Sequence, residues 1–222
     1  MQPYGDEWRN QRKAITQSFT SSNVSMYFPI QERQAAVLVQ NILKNPHKLF
    51  DEVNFQIATI IVRVTYGHYL TDESDRIYSL AMECMETFGI ASVPGNFMVD
   101  FFPARYHWTK EHLVTGDAYL PSVVGSVLQE SGGNLSPDVE HNLVWGTSAA
   151  FGGGMDTNMS TILNFFHAMI LHPEVQRKAQ AEIDALTGSQ RLPTINDRSS
   201  LPYIRALVTE LYRWHPAGPL GG

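Results

Sequence analysis

Cysteine is nearly missing from this sequence: Cys84 stands alone among 222 residues. One thiol builds no intrachain disulfide framework and no multi-cysteine zinc site, and it is what a reducing compartment permits. Dense Lys/Arg tracts are missing too. With a formal charge of -6 at pH 7, the expected partner is a small molecule or a protein rather than nucleic acid. The stretch from Met1 to Arg9 has no apolar core of the kind a signal peptide or membrane anchor needs, so the chain as written is expected to carry neither. No His-x-x-x-His, Cys-x-x-Cys, Gly-x-Ser-x-Gly or phosphate-binding loop occurs among the residues, which disfavours a zinc hydrolase, a serine hydrolase of that type and a P-loop nucleotidase. Alternating apolar and polar runs joined by hairpin turns are scarce, and no repeat or low-complexity tract appears.

What remains is helical periodicity, and the fold class read from it is mainly α with little sheet. Gly5-Asp6 can cap a first helix that carries Trp8, Arg9, Arg12 and Lys13. Val53 to Tyr66 is apolar over most of its surface and meets Gly67, a carboxyl-terminal cap residue, so it reads as a core helix. Pro94, Gly95, Asn96 and Pro103 break periodicity between Phe88 and His107, which predicts a loop there rather than a domain boundary. Ser136-Pro137-Asp138 is a helix start, and the pattern then runs to about His172, a length on the order of 50 Å. Pro173 opens the next helix and Gly188 closes it. A last helix opens near Pro202 and is stopped by Pro216 at about Trp214.

The long helix contains Phe151-Gly152-Gly153-Gly154-Met155-Asp156-Thr157. Each glycine costs roughly 1 kcal/mol against alanine in a helix interior. One reading is a kink with a satisfied aspartate. The other is that something approaches this backbone, with the Asp156 carboxylate and the Thr157 hydroxyl beside it to relay protons. A membrane span over Leu143 to Leu171 is a third reading, opposed by Asp156, Asn158, Asn164 and His167 in its middle. Trp8 and Arg12 are four apart, which puts an indole N–H and a guanidinium on one helical face, suited to an anionic group. Glu210 and Arg213 are three apart on the last helix, a spacing shared by Glu73/Arg76 and Glu174/Arg177, and two of these three pairs are expected to be ordinary surface pairs.

The runs Tyr4-Gly5-Asp6-Glu7-Trp8-Arg9-Asn10-Gln11-Arg12-Lys13, Gly153-Gly154-Met155-Asp156-Thr157 and Glu210-Leu211-Tyr212-Arg213-Trp214-His215-Pro216 occur in that order. With His172-Pro173-Glu174-Val175-Gln176 and Leu201-Pro202-Tyr203 they make the chain resemble the cytochrome P-450 superfamily of haem-thiolate monooxygenases, fungal microsomal type, over nearly its whole length. The resemblance implies that Trp8 and Arg12 hold the propionates of haem b, with Gly153 and Gly154 lying close to the porphyrin. It implies that Asp156 and Thr157 are the catalytic acid and alcohol of the distal helix, and that Glu210 and Arg213 form a structural charge pair. It implies insertion of one oxygen atom from O2 into a small apolar organic substrate, with electrons from an NADPH-dependent reductase, at the endoplasmic reticulum membrane.

The family's iron ligand is a cysteine in a Phe-x-x-Gly-x-Arg-x-Cys loop after the Glu-x-x-Arg helix, and the 222 residues contain no such run. Cys84 lies in Ala81-Met82-Glu83-Cys84-Met85-Glu86 and does not match it, so no metal ligand is assigned. Residues 1–222 are therefore read as one partial domain, an internal segment truncated at both ends, inactive by itself and with exposed apolar surface that favours association. The alternative is a non-catalytic helical interaction or regulatory protein derived from the same scaffold. Phe151 and the region from Phe88 to Val93 are candidate substrate-pocket residues.

Overall fold

A computed structural model describes residues 4–20, 22–91, 122–188 and 190–218. Among these residues the chain forms eight α-helices and no strand. They are α1 (Asp6–Thr16), α2 (Phe28–Lys44), α3 (Leu49–Tyr66), α4 (Arg76–Ala91), α5 (Val123–Glu130), α6 (Pro137–Leu171), α7 (Pro173–Thr187) and α8 (Pro202–Trp214). The boundaries follow local chemistry. The Ser136 hydroxyl accepts from the Val139 N–H at 3.4 Å, and Asp138 and Glu140 add negative charge to the first turn of α6. Gly67 and Gly188 take positive φ, 76° and 60°, where α3 and α7 end. Helix α4 continues through Phe88 to Ala91, and Pro94, Gly95, Asn96 and Pro103, the residues expected to break periodicity, lie outside the described residues.

Helix α6 passes through the glycine run without interruption, 35 residues in all. The reason is a buried stripe at strict four-residue spacing: Leu143, Thr147, Phe151 and Met155 are each no more than 2% exposed. Burying a side chain of this size stabilises by about 1.5–3 kcal/mol, which outweighs roughly 1 kcal/mol lost per glycine. Packing on one face thus holds the backbone helical through Gly152, Gly153 and Gly154. Phe151, expected beside a substrate, is in this stripe, with its ring 6.5 Å from that of Tyr66.

Two compact units divide the chain: Met1–Pro29 with Ala58–Met155, and Ile30–Ile57 with Asp156–Gly222. In the first, Val62, Val123, Leu128, Leu143 and Phe151 are core residues, and α1 lies against α6 at Gly146. In the second, Ala168 and Met169 of α6 bury with Leu211 of α8, and Phe165, Val175 and Leu207 pack around them. Among the described residues, no helix is long and apolar enough to cross a membrane, which removes the spanning reading of Leu143 to Leu171.

Candidate functional site

The glycines of α6 divide by face. A Cβ at Gly154 would stand 2.8 Å from Ile61 Cδ1, so Gly154 admits the side chain of α3. Cβ atoms at Gly152 and Gly153 would meet nothing within 4 Å. Gly153, Asp156 and Thr157 are exposed and, at spacings of three and four, share the face opposite the buried stripe. The Asp156 side chain keeps contact with solvent, yet the protein around its carboxyl excludes enough water to push its pKa above the ordinary carboxylate value. The face therefore combines space over Gly153, a carboxyl whose pKa is raised and a hydroxyl. One turn further on, Thr161 Oγ1 donates to the Thr157 carbonyl at 2.7 Å.

On α1 the cations are sorted by their neighbours. Arg9 donates to Asp6 Oδ1 at 2.7 Å and its guanidinium lies 5.6 Å from the centre of the Tyr4 ring. The Arg12 guanidinium lies 5.2 Å over the half-buried Trp8 ring, and among the described residues no carboxylate reaches it. Trp8 thus holds Arg12 in place without neutralising it, as a cation over an aromatic face does. Helix α1 is fixed to α6 at Gly146, where a Cβ would be 2.7 Å from the Gln11 backbone carbonyl oxygen and 3.0 Å from Ile15 Cγ2. Nothing in the sequence pattern marked Gly146, because its constraint comes from a helix more than a hundred residues away.

On α8, Arg213 Nε and Nη2 donate to Glu210 Oε2 and Oε1 at 2.7 and 2.5 Å. The hydrogen bonds from Arg213 hold the Glu210 carboxyl below its ordinary pKa and raise that of Arg213. Among the described residues neither Glu73/Arg76 nor Glu174/Arg177 closes an ion pair, so this is the Glu-x-x-Arg run with two-point geometry. The pair is exposed, with 55% of the Glu210 side chain and 72% of the Arg213 side chain accessible. Cys84 lies on α4, and no cluster of metal-ligating side chains occurs among the described residues.

Two residues that periodicity did not reveal support these elements. Arg63 is buried on α3, stacks its guanidinium 3.9 Å over the Tyr69 ring and donates to the Gly67 carbonyl, closing the carboxyl end of the core helix. Glu182 of α7 accepts from the Tyr203 and Ile204 N–H groups at 2.8 and 2.9 Å, at the start of α8.

The fold defines the class. Chains of zebra fish cytochrome P-450, in structures with progesterone and with abiraterone, superpose with TM-scores of 0.78 and 0.75; each match covers 96% of this chain, at 20% identity, and 54% and 53% of the other. This is a mainly helical portion of the cytochrome P-450 fold. The sequence model described as Cytochrome P-450 matches residues 126–221. Cytochrome P-450 monooxygenases 105 and 226 of Postia placenta are 41% and 40% identical over 99% of this chain and 48% of their own length. Over nearly its whole length the chain is similar to cytochrome P-450 monooxygenases, and it spans about half the length of the curated relatives it matches.

Proposed function

We propose that these residues form the oxygen-side and propionate-side parts of a haem monooxygenase that oxidises a small apolar organic substrate with electrons from an NADPH-dependent reductase. What supports the reading most is the face of α6 at Gly153, Asp156 and Thr157, open over the backbone and polar beside it. A haem fits the residues in two respects. Arg12, held by Trp8 and not neutralised by a carboxylate among the described residues, suits a propionate, and the space over Gly153, where a Cβ would meet nothing within 4 Å, admits a flat apolar group. When bound, haem iron supplies the binding and activation of dioxygen.

The chain's own residues then act as follows. Trp8 Nε1 and the Arg12 guanidinium bind and orient carboxylates. Gly153 lets the ligand face approach α6, whereas Gly154 acts through Ile61 on the packing of α6 against α3. Asp156 holds a proton more readily than a solvated aspartate does, and Thr157 Oγ1 can pass one across the open face. Glu210 and Arg213 brace α8. No residue here is assigned to the iron, because the 222 residues contain no Phe-x-x-Gly-x-Arg-x-Cys run. The 222-residue chain by itself is therefore inactive in this reading. An endoplasmic reticulum location for the whole protein is part of the same proposal.

The test places substitutions in a full-length P-450 chain carrying residues 1–222. Arg12→Ala and Trp8→Phe are expected to lower haem content. Asp156→Asn and Thr157→Ala are expected to keep haem and lose at least about 10²-fold in turnover, the scale of general acid–base groups. Full haem content in the first pair, or unchanged turnover in the second, contradicts the assignment.

A further inference from the structure

The apolar contacts of α8 do not by themselves fix its height along α6 and α7. Leu207 and Leu211 pack with Ala168, Met169 and Val175, but the hydrophobic effect that drives this contact is non-directional. Directional contacts occur at the two ends. At the amino end Leu201 supplies no side-chain cap and Pro202, at the first helical position, has no N–H to donate. The next two N–H groups, of Tyr203 and Ile204, are taken by the two oxygens of the half-buried Glu182 carboxylate, one each. At the carboxyl end Asn164 Nδ2 lies 3.0 Å from His215 Nδ1, and the Trp214 ring stands 6.2 Å from His167 and 6.4 Å from His172.

We infer that Glu182 is a positioning residue for α8. Its two-point grip on consecutive backbone N–H groups sets both the height and the rotation of the helix, and so where Glu210 and Arg213 stand. A carboxylate suits the task because it has two oxygens to accept the two N–H groups and because negative charge is favoured at a helix amino terminus. Slipping by one turn, about 5.4 Å, would break both bonds and carry Trp214 and His215 away from His167, His172 and Asn164 together. The functional weight of Glu182 rests on the role proposed above for the Glu210–Arg213 pair, but the positioning itself does not.

The experiment uses the isotope-labelled 222-residue chain and NMR. Glu182→Ala is expected to speed amide exchange at Tyr203 and Ile204 at least about tenfold, the scale of a lost charge-assisted hydrogen bond, and to shift the ring protons of His167 and His172 as Trp214 moves. Glu182→Gln keeps one acceptor oxygen in nearly the same shape and is expected to leave one of the two amides protected, so it reads the same contact if the alanine variant fails to fold. Unchanged exchange at both amides in either variant overturns the grip. Faster exchange with unmoved His167 and His172 signals overturns the positioning and leaves only a cap. None of these signals requires haem, so a failure here is separate from a failure of the proposed function.

Discussion

Adjacent glycines in one run do different things, and the difference is measurable. Gly153 faces open space, so Gly153→Ala removes only a propensity penalty, and the haem-free 222-residue chain is expected to gain up to about 1 kcal/mol, read as a higher Tm. In a full-length chain the same methyl stands where the proposed ligand face lies, and haem content is expected to fall. A variant that is both more stable and fully haem-loaded would remove Gly153 from the site. Gly154 behaves otherwise, because Ile61 Cδ1 must swing aside to admit a Cβ there. Asp156 provides a pH test. Its pKa is raised in the folded chain, so the stability tied to its proton is present below the unfolded carboxylate value and is lost as pH rises through the folded value. Asp156→Asn is therefore expected to raise Tm at pH 7, with the gain shrinking toward pH 4; a gain independent of pH would contradict the raised value.

At the scale of elements, the punctuation was legible because serine, proline and glycine act on the backbone they sit in. Ser136-Pro137, Pro173, Gly188 and Pro202 mark the ends of α6, α7 and α8 in the structure as they do in the sequence. The uninterrupted course of α6 through three glycines was less legible, since it depends on how deeply Phe151 and Met155 bury. Contacts between elements were not legible at all. Gly146 is an unremarked residue of α6 until α1 arrives with the Gln11 carbonyl, and Glu182 is one acid of α7 until α8 begins beside it. Gly146→Ala forces a methyl against backbone rather than against a flexible side-chain end, and is expected to cost about 1–3 kcal/mol and to displace α1. Because α1 carries Trp8 and Arg12, haem content in a full-length chain should fall with it. A Gly146→Ala variant of unchanged Tm would show that α1 is not held there.

For the whole molecule, the candidate site was legible as residue types in order, while its division of labour was not. Trp8, Arg12, Asp156 and Thr157 could be named from their spacing and family resemblance, but the orientation of Gly154 toward Ile61, the sorting of Arg9 from Arg12 and the exposure of the Glu210–Arg213 pair needed neighbours in space. Large apolar side chains stand exposed on several helices, Leu43, Phe50, Ile170, Leu171 and Tyr212 among them, as expected of a chain that spans about half the length of its relatives. The central claim is that these residues build the oxygen side of a haem site whose iron ligand is not among them. The carbon monoxide difference spectrum after reduction tests it most directly. With haem added, the 222-residue chain is expected to show no thiolate-type band, and a full-length P-450 chain carrying residues 1–222 is expected to show one. A thiolate-type band from the 222 residues alone, or none from the full-length chain, would contradict the account.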